Sequence, residues 1–81
     1  MVAEINEPIN VVASFANGKI TPIAFSWHGR RYDHLSLTSQ WPVMEGKYAV
    51  RCFSLYDGAN AYEIRFKTQQ MEWELVRIHS D

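Results

Sequence analysis

Cysteine is almost absent from this sequence, which has one, Cys52, among 81 residues. A single thiol cannot form an intrachain disulfide, whereas small secreted domains normally depend on several. The N-terminal residues include the acids Glu4 and Glu7 where a signal peptide carries positive charge. No apolar run approaches the roughly 18 residues that a membrane span needs. These absences predict a soluble, cytoplasmic protein that does not enter a membrane.

Residues with catalytic or metal-binding chemistry are few and widely spaced. Cys52 and the histidines His28, His34 and His79 have no recognisable zinc-ligand spacing. Each of the four glycines stands alone in a predicted turn, so the sequence contains no glycine-rich phosphate loop. The pair Asp33-His34 lies in a predicted strand, where neighbours point to opposite faces and cannot form a dyad. We therefore expect no enzyme activity, no cofactor and no metal site.

An excess of charge of one sign is also lacking, since eight basic residues face nine acidic ones for a net charge of −1. This balance argues against a protein that coats nucleic acid or an acidic membrane by bulk electrostatics. The distribution is less even, because the chain between Glu7 and Glu72 has seven basic and four acidic residues, a net +3 (7 − 4). A local basic surface therefore stays open as a hypothesis.

Aromatic and apolar residues are abundant, at 14% and 47% of the chain, which is typical of a folded domain and not of a disordered one. The densest stretch runs from Phe25 to Tyr32 and contains the turn dipeptide His28-Gly29. A two-residue turn there places Phe25 opposite Tyr32 as an aromatic cross-strand pair. We expect this hairpin to supply much of the core.

Alternating apolar residues between turn dipeptides predict six strands, and no segment has a sustained helical period. Asn17-Gly18 is the strongest of the predicted hairpin turns. Pro22 indicates a bulge or an edge position, and a bulge near Asp33-His34 is needed to keep the following leucines in the core. Pro42 is expected to end a strand, because proline cannot donate to a central ladder. The predicted strands cover residues 9–16, 31–38, 48–56 and 73–78, with one from Lys19 onward before the His28-Gly29 turn and one that contains Tyr62, Ile64 and Phe66.

These elements predict an all-β fold, a small antiparallel SH3-like barrel or roll of about six strands with meander connections. A chain of 81 residues supports one domain, residues 1–81, in which residues 1–8 are candidates for a flexible segment.

Part of the chain resembles a known family. The pattern Pro22-x-x-Phe25-x-Trp27-x-Gly29-Arg30-x-Tyr32 is similar to the signature of a small prokaryotic domain family of unknown function. Further matches to that family are Trp41, the run Tyr62-Glu63-Ile64-x-Phe66 and Trp73-x-Leu75. The resemblance implies a short stand-alone protein or a domain found near, or attached to, proteins that resemble lesion-bypass DNA polymerases. It implies no catalytic residues.

Two functions remain open. In the first, the protein is a non-catalytic interaction module or small subunit, and the apolar strand from Ile9 to Phe15 offers an edge to an unknown protein partner or to a second copy of the chain, as a homodimer. In the second, it binds single-stranded nucleic acid in DNA metabolism through basic residues beside exposed aromatic rings. The candidate nucleic-acid or partner-binding residues are Arg30, Arg31, Trp41, Arg65 and Lys67.

Overall fold

The computed structural model describes residues 1–80, and all the regular structure in that range is β-strand. The predicted all-β class is confirmed, and no helix in these residues could cross a membrane. The seven strands are β1 (Val2–Ala16), β2 (Lys19–Trp27), β3 (Arg30–Tyr32), β4 (Ser36–Glu45), β5 (Tyr48–Tyr56), β6 (Ala61–Lys67) and β7 (Glu72–His79).

All seven strands belong to one antiparallel sheet with the order β3-β2-β1-β7-β6-β5-β4. Successive strands are neighbours, as the predicted meander requires, except at the link between β3 and β4, which form the two ends of the sheet. The N-terminal and C-terminal strands pair with each other in the middle of the sheet. The result is a small open roll and not a closed barrel.

Aromatic contacts show how the sheet curls. The rings of Phe25 on β2 and Tyr32 on β3 each meet the ring of Tyr62 on β6, with centroids 5.4 and 5.5 Å apart. Neither β2 nor β3 neighbours β6 in the sheet, so these contacts require the two ends of the sheet to fold over one core. The predicted opposition of Phe25 and Tyr32 is confirmed, with the rings stacked at 4.7 Å. The largest fully buried side chains are Phe25, Phe53, Leu55, Ile64 and Leu75.

The predicted bulge at Pro22 is confirmed, because β2 gains one residue relative to β1 between Ala24 and Pro22. The predicted single strand over residues 31–38 is wrong, since β3 ends at Tyr32 and β4 begins at Ser36. His34 lies between them with φ 54, in the left-handed region, which breaks the extended chain where we expected only a bulge.

The prediction that Pro42 ends a strand is also wrong, because β4 continues through it to Glu45. β4 is an edge strand, and an edge strand tolerates proline because only one of its sides must donate to a ladder. A register shift between Leu37 and Ser39 leaves Thr38 as an extra residue, and its Oγ1 donates to the carbonyl oxygen of Ser54 at 3.0 Å. Residues 2–8, the candidates for a flexible segment, form the first half of β1 and pair with β7.

The loop between β5 and β6 is organised by one carboxylate. Asp57 Oδ1 accepts hydrogen bonds from the backbone amides of Ala59 and Asn60 at 2.8 and 2.7 Å, and its Oδ2 accepts the hydroxyl of Tyr62 at 2.7 Å. These bonds hold the pKa of Asp57 below its usual 3.8, the Asn60 amide contributing most. The loop thereby supplies a hydrogen-bond acceptor for the hydroxyl of the buried Tyr62 ring.

We predict that Asp57→Ala lowers the free energy of unfolding by about 1–3 kcal/mol, because it leaves the buried Tyr62 hydroxyl and two loop amides without their acceptor. A carboxylate with a lowered pKa stabilises the fold above its unfolded pKa and loses that contribution as the pH falls through its folded pKa. Urea denaturation at stepped pH should therefore show the difference at neutral pH and its loss in acid below 3.8. Asp33→Ala, at an exposed turn, is the control; equal losses in both variants would contradict the prediction.

Candidate docking edge on strand β1

Strand β1 changes partner half-way along its length. Residues from Val2 to Ile9 pair with β7, and residues from Asn10 to Ala16 pair with β2. β7 begins at Glu72, next to the residue opposite Ile9, so β7 extends only one residue further along β1. Within residues 1–80, the half of β1 from Asn10 to Ala16 thus has a strand partner on one side only. We call this half the β1 edge.

The change of partner has a local cause in the sequence. Asn6 has φ 55, and the register with β7 shifts between Glu4 and Glu7. An extra residue in one strand of an antiparallel pair bends that strand and increases its twist. Pro8, which follows, has no N–H to donate to either neighbour. The chain is bent just before the point where β1 changes its partner from β7 to β2.

The turn of the β2–β3 hairpin covers the first half of β1. Trp27 Nε1 donates to Glu7 Oε1 at 3.0 Å, and His28 Nε2 lies 2.9 Å from the same oxygen. The two contacts lower the pKa of Glu7 below its usual value, the bond from Trp27 contributing most. This hairpin tip therefore anchors β1 at Glu7, just after the bend, and leaves the β1 edge uncovered.

The other open edges of the sheet carry features that discourage strand addition. β3 has only three residues, of which Arg30 and Arg31 are charged. β4 is long but contains Pro42, the bulge at Thr38 and a charged end at Glu45. Short length, charge, proline and bulges are the devices by which natural edges avoid pairing with other chains.

The β1 edge has none of these features. Its sequence, Asn10-Val-Val-Ala-Ser-Phe-Ala16, contains no charge and no proline, and β1 has no bulge within it. Large apolar side chains on and beside it are exposed: Phe15 by 62%, Val12 by 51% and Ile23 on the adjacent strand by 49%. The ring of Phe15 meets Phe66 edge-on at 6.1 Å, which leaves most of its surface in solvent.

A shallow cavity of about 480 Å³ lies where the β1 edge leaves β7. Its walls are Pro8 to Val11 of β1 and Met71 to Trp73 at the β6–β7 turn. The Met71 side chain is 72% exposed at its rim. No pattern in the sequence predicted this cavity, although β1 with 15 residues and β7 with 8 could not pair along their full lengths.

The structure places Arg65 and Lys67 on the outer face of the sheet, alternating with the buried residues of β6, but both are held by carboxylates. Arg65 Nη2 lies 2.7 Å from Glu74 Oε1, and its Nη1 lies 3.4 Å from Glu45 Oε2. Lys67 Nζ lies 3.3 Å from Glu74 Oε2. These cations belong to an ion-pair network and do not form a free basic groove.

Of the other three candidate residues, Arg30 and Arg31 lie apart from Arg65 and Lys67, whereas Trp41 is in the same cross-strand row as Arg65. The guanidinium of Arg30 lies over the Tyr32 ring at 4.9 Å, and Arg31 Nε lies 3.3 Å from Asp33 Oδ2. Both are on β3, at the opposite end of the sheet from β4, which carries the half-buried Trp41. Trp41 is opposite Cys52, which separates it from Arg65 by one strand.

Metal-binding and nucleophilic groups are not gathered in the part of the chain that the structure describes. Residues 1–80 contain no group of three or more His, Cys, Asp or Glu side chains that could hold a metal ion. Burial, and then the charge of Glu63, raises the pKa of the Cys52 thiol. A buried thiol with a raised pKa stays protonated and is a poor nucleophile.

The fold and this edge define a class of protein, a small antiparallel roll with an uncharged, open strand edge. Comparison with known proteins gives no more specific assignment, since no family model, curated protein or solved structure matches the chain.

We predict that the double reversal Arg65→Glu with Lys67→Glu lowers the free energy of unfolding by about 1–3 kcal/mol at low salt, because it surrounds the largely buried Glu74 with like charge. In about 0.5 M NaCl, where the screening length is roughly 4 Å, much of the loss should be recovered. Urea denaturation at the two salt concentrations measures both effects. The control is Lys19→Glu with Lys47→Glu, which changes the net charge equally at exposed sites; a similar loss there would contradict the prediction.

Proposed function

We propose that this protein is a non-catalytic interaction module whose β1 edge takes up one extended strand from a protein partner. The observation that supports it is the contrast between the edges: β3 and β4 carry charges, a proline or a bulge, whereas Asn10 to Ala16 carry none. In strand addition the main chain supplies affinity and alternate side chains supply specificity.

The surroundings of the edge indicate what kind of strand fits. Phe15 projects on the core side of the edge, and Val12 projects on the opposite side beside Ile23. A partner strand would cover apolar surface on both of its faces, so it should be uncharged and rich in β-branched or aromatic residues. An unpaired run of seven residues offers about seven backbone donors and acceptors, each hydrogen bond contributing roughly 0.5–1.5 kcal/mol net.

Single-stranded nucleic acid is the alternative, and the geometry gives it less support. Tyr48 and Tyr56 are exposed by 42% and 43%, and Lys47 Nζ lies over the Tyr48 ring at 5.7 Å, but the candidate basic residues Arg65 and Lys67 already pair with carboxylates. Affinity for nucleic acid depends on cations that neutralise phosphates and so release the counterions condensed on the backbone. We also propose a cytoplasmic location for this interaction module, because Cys52 is a lone thiol and small secreted domains normally depend on several disulfides.

The proposal predicts that peptides of alternating apolar character bind the β1 edge. Random ten-residue peptides displayed on phage can be selected on sparsely immobilised protein, and the enriched peptides titrated by fluorescence anisotropy. We expect micromolar binding, weakened at least tenfold by Val12→Lys with Ser14→Lys, because the two lysines remove apolar contact and leave charges beside an uncharged strand.

Ser39→Lys is the matched control, since Ser39 is an exposed strand serine on β4, away from the β1 edge. Binding to this control should equal binding to the parent. Selection that yields no binder, or binders that tolerate the double lysine variant as well as the control, would overturn the proposal.

A further inference from the structure

The β1 edge is complementary to itself. If two copies run antiparallel with Ala13 opposite Ala13, Val11 of each chain is opposite Phe15 of the other. Residues opposite each other in an antiparallel pair lie on the same face of the sheet. Val11 and Phe15 are both on the core side, since they are opposite Phe25 and Ile20 on β2.

This register joins residue types that suit each other. β-branched and aromatic side chains are favourable cross-strand pairs, and each Phe15, now 62% exposed, would be covered by a valine. On the outer face Val12 is opposite Ser14, and at the centre two alanines leave the backbones free to approach. The edge carries no charge, so self-pairing brings no like charges together.

The start of β7 limits the length of this pairing. Ile9 and Pro8 are already opposite Trp73 and Glu74 of β7, so the self-paired run covers Val11 to Phe15 of each copy. Beyond Phe15 the second copy turns at Asn17-Gly18, with φ 54 and 73, into its own β2 on the far side of its β1.

On the basis of the proposed function, we infer that the strand accepted by the β1 edge is the β1 edge of a second copy. The two rolls then share one sheet across a twofold axis at Ala13. The interface is isologous, because the same patch serves both subunits. A strand from a different protein is the competing occupant, and the experiment distinguishes the two.

Charge complementation tests the pairing. One variant carries Val12→Glu with Ser14→Glu, and the other carries Val12→Lys with Ser14→Lys. Position 12 of each copy is opposite position 14 of the other, so each variant repels itself, whereas a mixture forms opposite-charge pairs. Sedimentation velocity from 1 to 500 µM should show a parent dimer, two monomeric variants, and a dimer restored in their equimolar mixture.

The restored dimer also shows that both variants fold. A second measurement tests the register: Ala13→Cys, in a Cys52→Ser background, should form an intersubunit disulfide on mild oxidation, because opposite Cα atoms are about 4.5–5.5 Å apart. Ser39→Cys in the same background is the control and should not cross-link.

The possible failures are separable. A parent that stays monomeric to 500 µM while selected peptides still bind the edge overturns self-pairing and leaves the proposed function in place. A monomer for which no peptide is selected overturns both. A dimer that persists in both charged variants and lacks the Ala13→Cys cross-link uses another surface, which overturns the inference.

Discussion

The fold depends on a mismatch of strand lengths around β1. This strand has 15 residues, whereas β7 has 8 and β2 has 9, so neither neighbour can accompany it from end to end. β1 therefore pairs with β7 along its first half and with β2 along its second. Ile9, where the partners change, is buried against the core. The same mismatch that closes the roll over its core leaves half of β1 without a second neighbour. The shape of the roll and the open β1 edge therefore have one cause.

The outer face of the sheet is stabilised differently from the inner one. No second layer covers it, and its charged side chains pair with each other across strands. Arg77 bridges Glu4 on β1 and Glu63 on β6, which together raise its pKa above the usual value. Arg65 and Lys67 converge on Glu74 in the same way. A chain this short has few apolar residues beyond its single core, so cross-strand ion pairs occupy the face that the core cannot use.

Local patterns predicted what depends on local geometry. The Phe25–Tyr32 pair, the bulge at Pro22 and the apolar face of β5 and β6 follow from side-chain alternation and turn type, which neighbouring residues determine. Pro42 was misjudged because its effect depends on whether its strand lies at an edge, which is a property of the whole sheet. The break at His34 was underestimated for a related reason, since β4 leaves β3 to reach the far end of the sheet.

The site was predictable in part. The alternation from Ile9 to Phe15 identified the strand that offers an edge, but its open length and the adjoining cavity depend on where β7 begins. Side-chain alternation along β6 puts Arg65 and Lys67 on its outer face, yet sequence alone could not pair them with Glu74 on the next strand. Strand order decides which charges meet, and strand order joins residues that are distant in the chain.

The pairing of β1 with β7 has a kinetic consequence. It joins residues from opposite ends of the sequence, whereas β1, β2 and β3 are linked by short hairpins and can form early. During synthesis β1 can pair with β2 before β7 is made, so its whole β7 side is open and the β1 edge is then one part of a longer unprotected strand. Slow closure of a sheet with long-range pairing prolongs that exposure, and exposed strand edges make partly folded chains prone to aggregate.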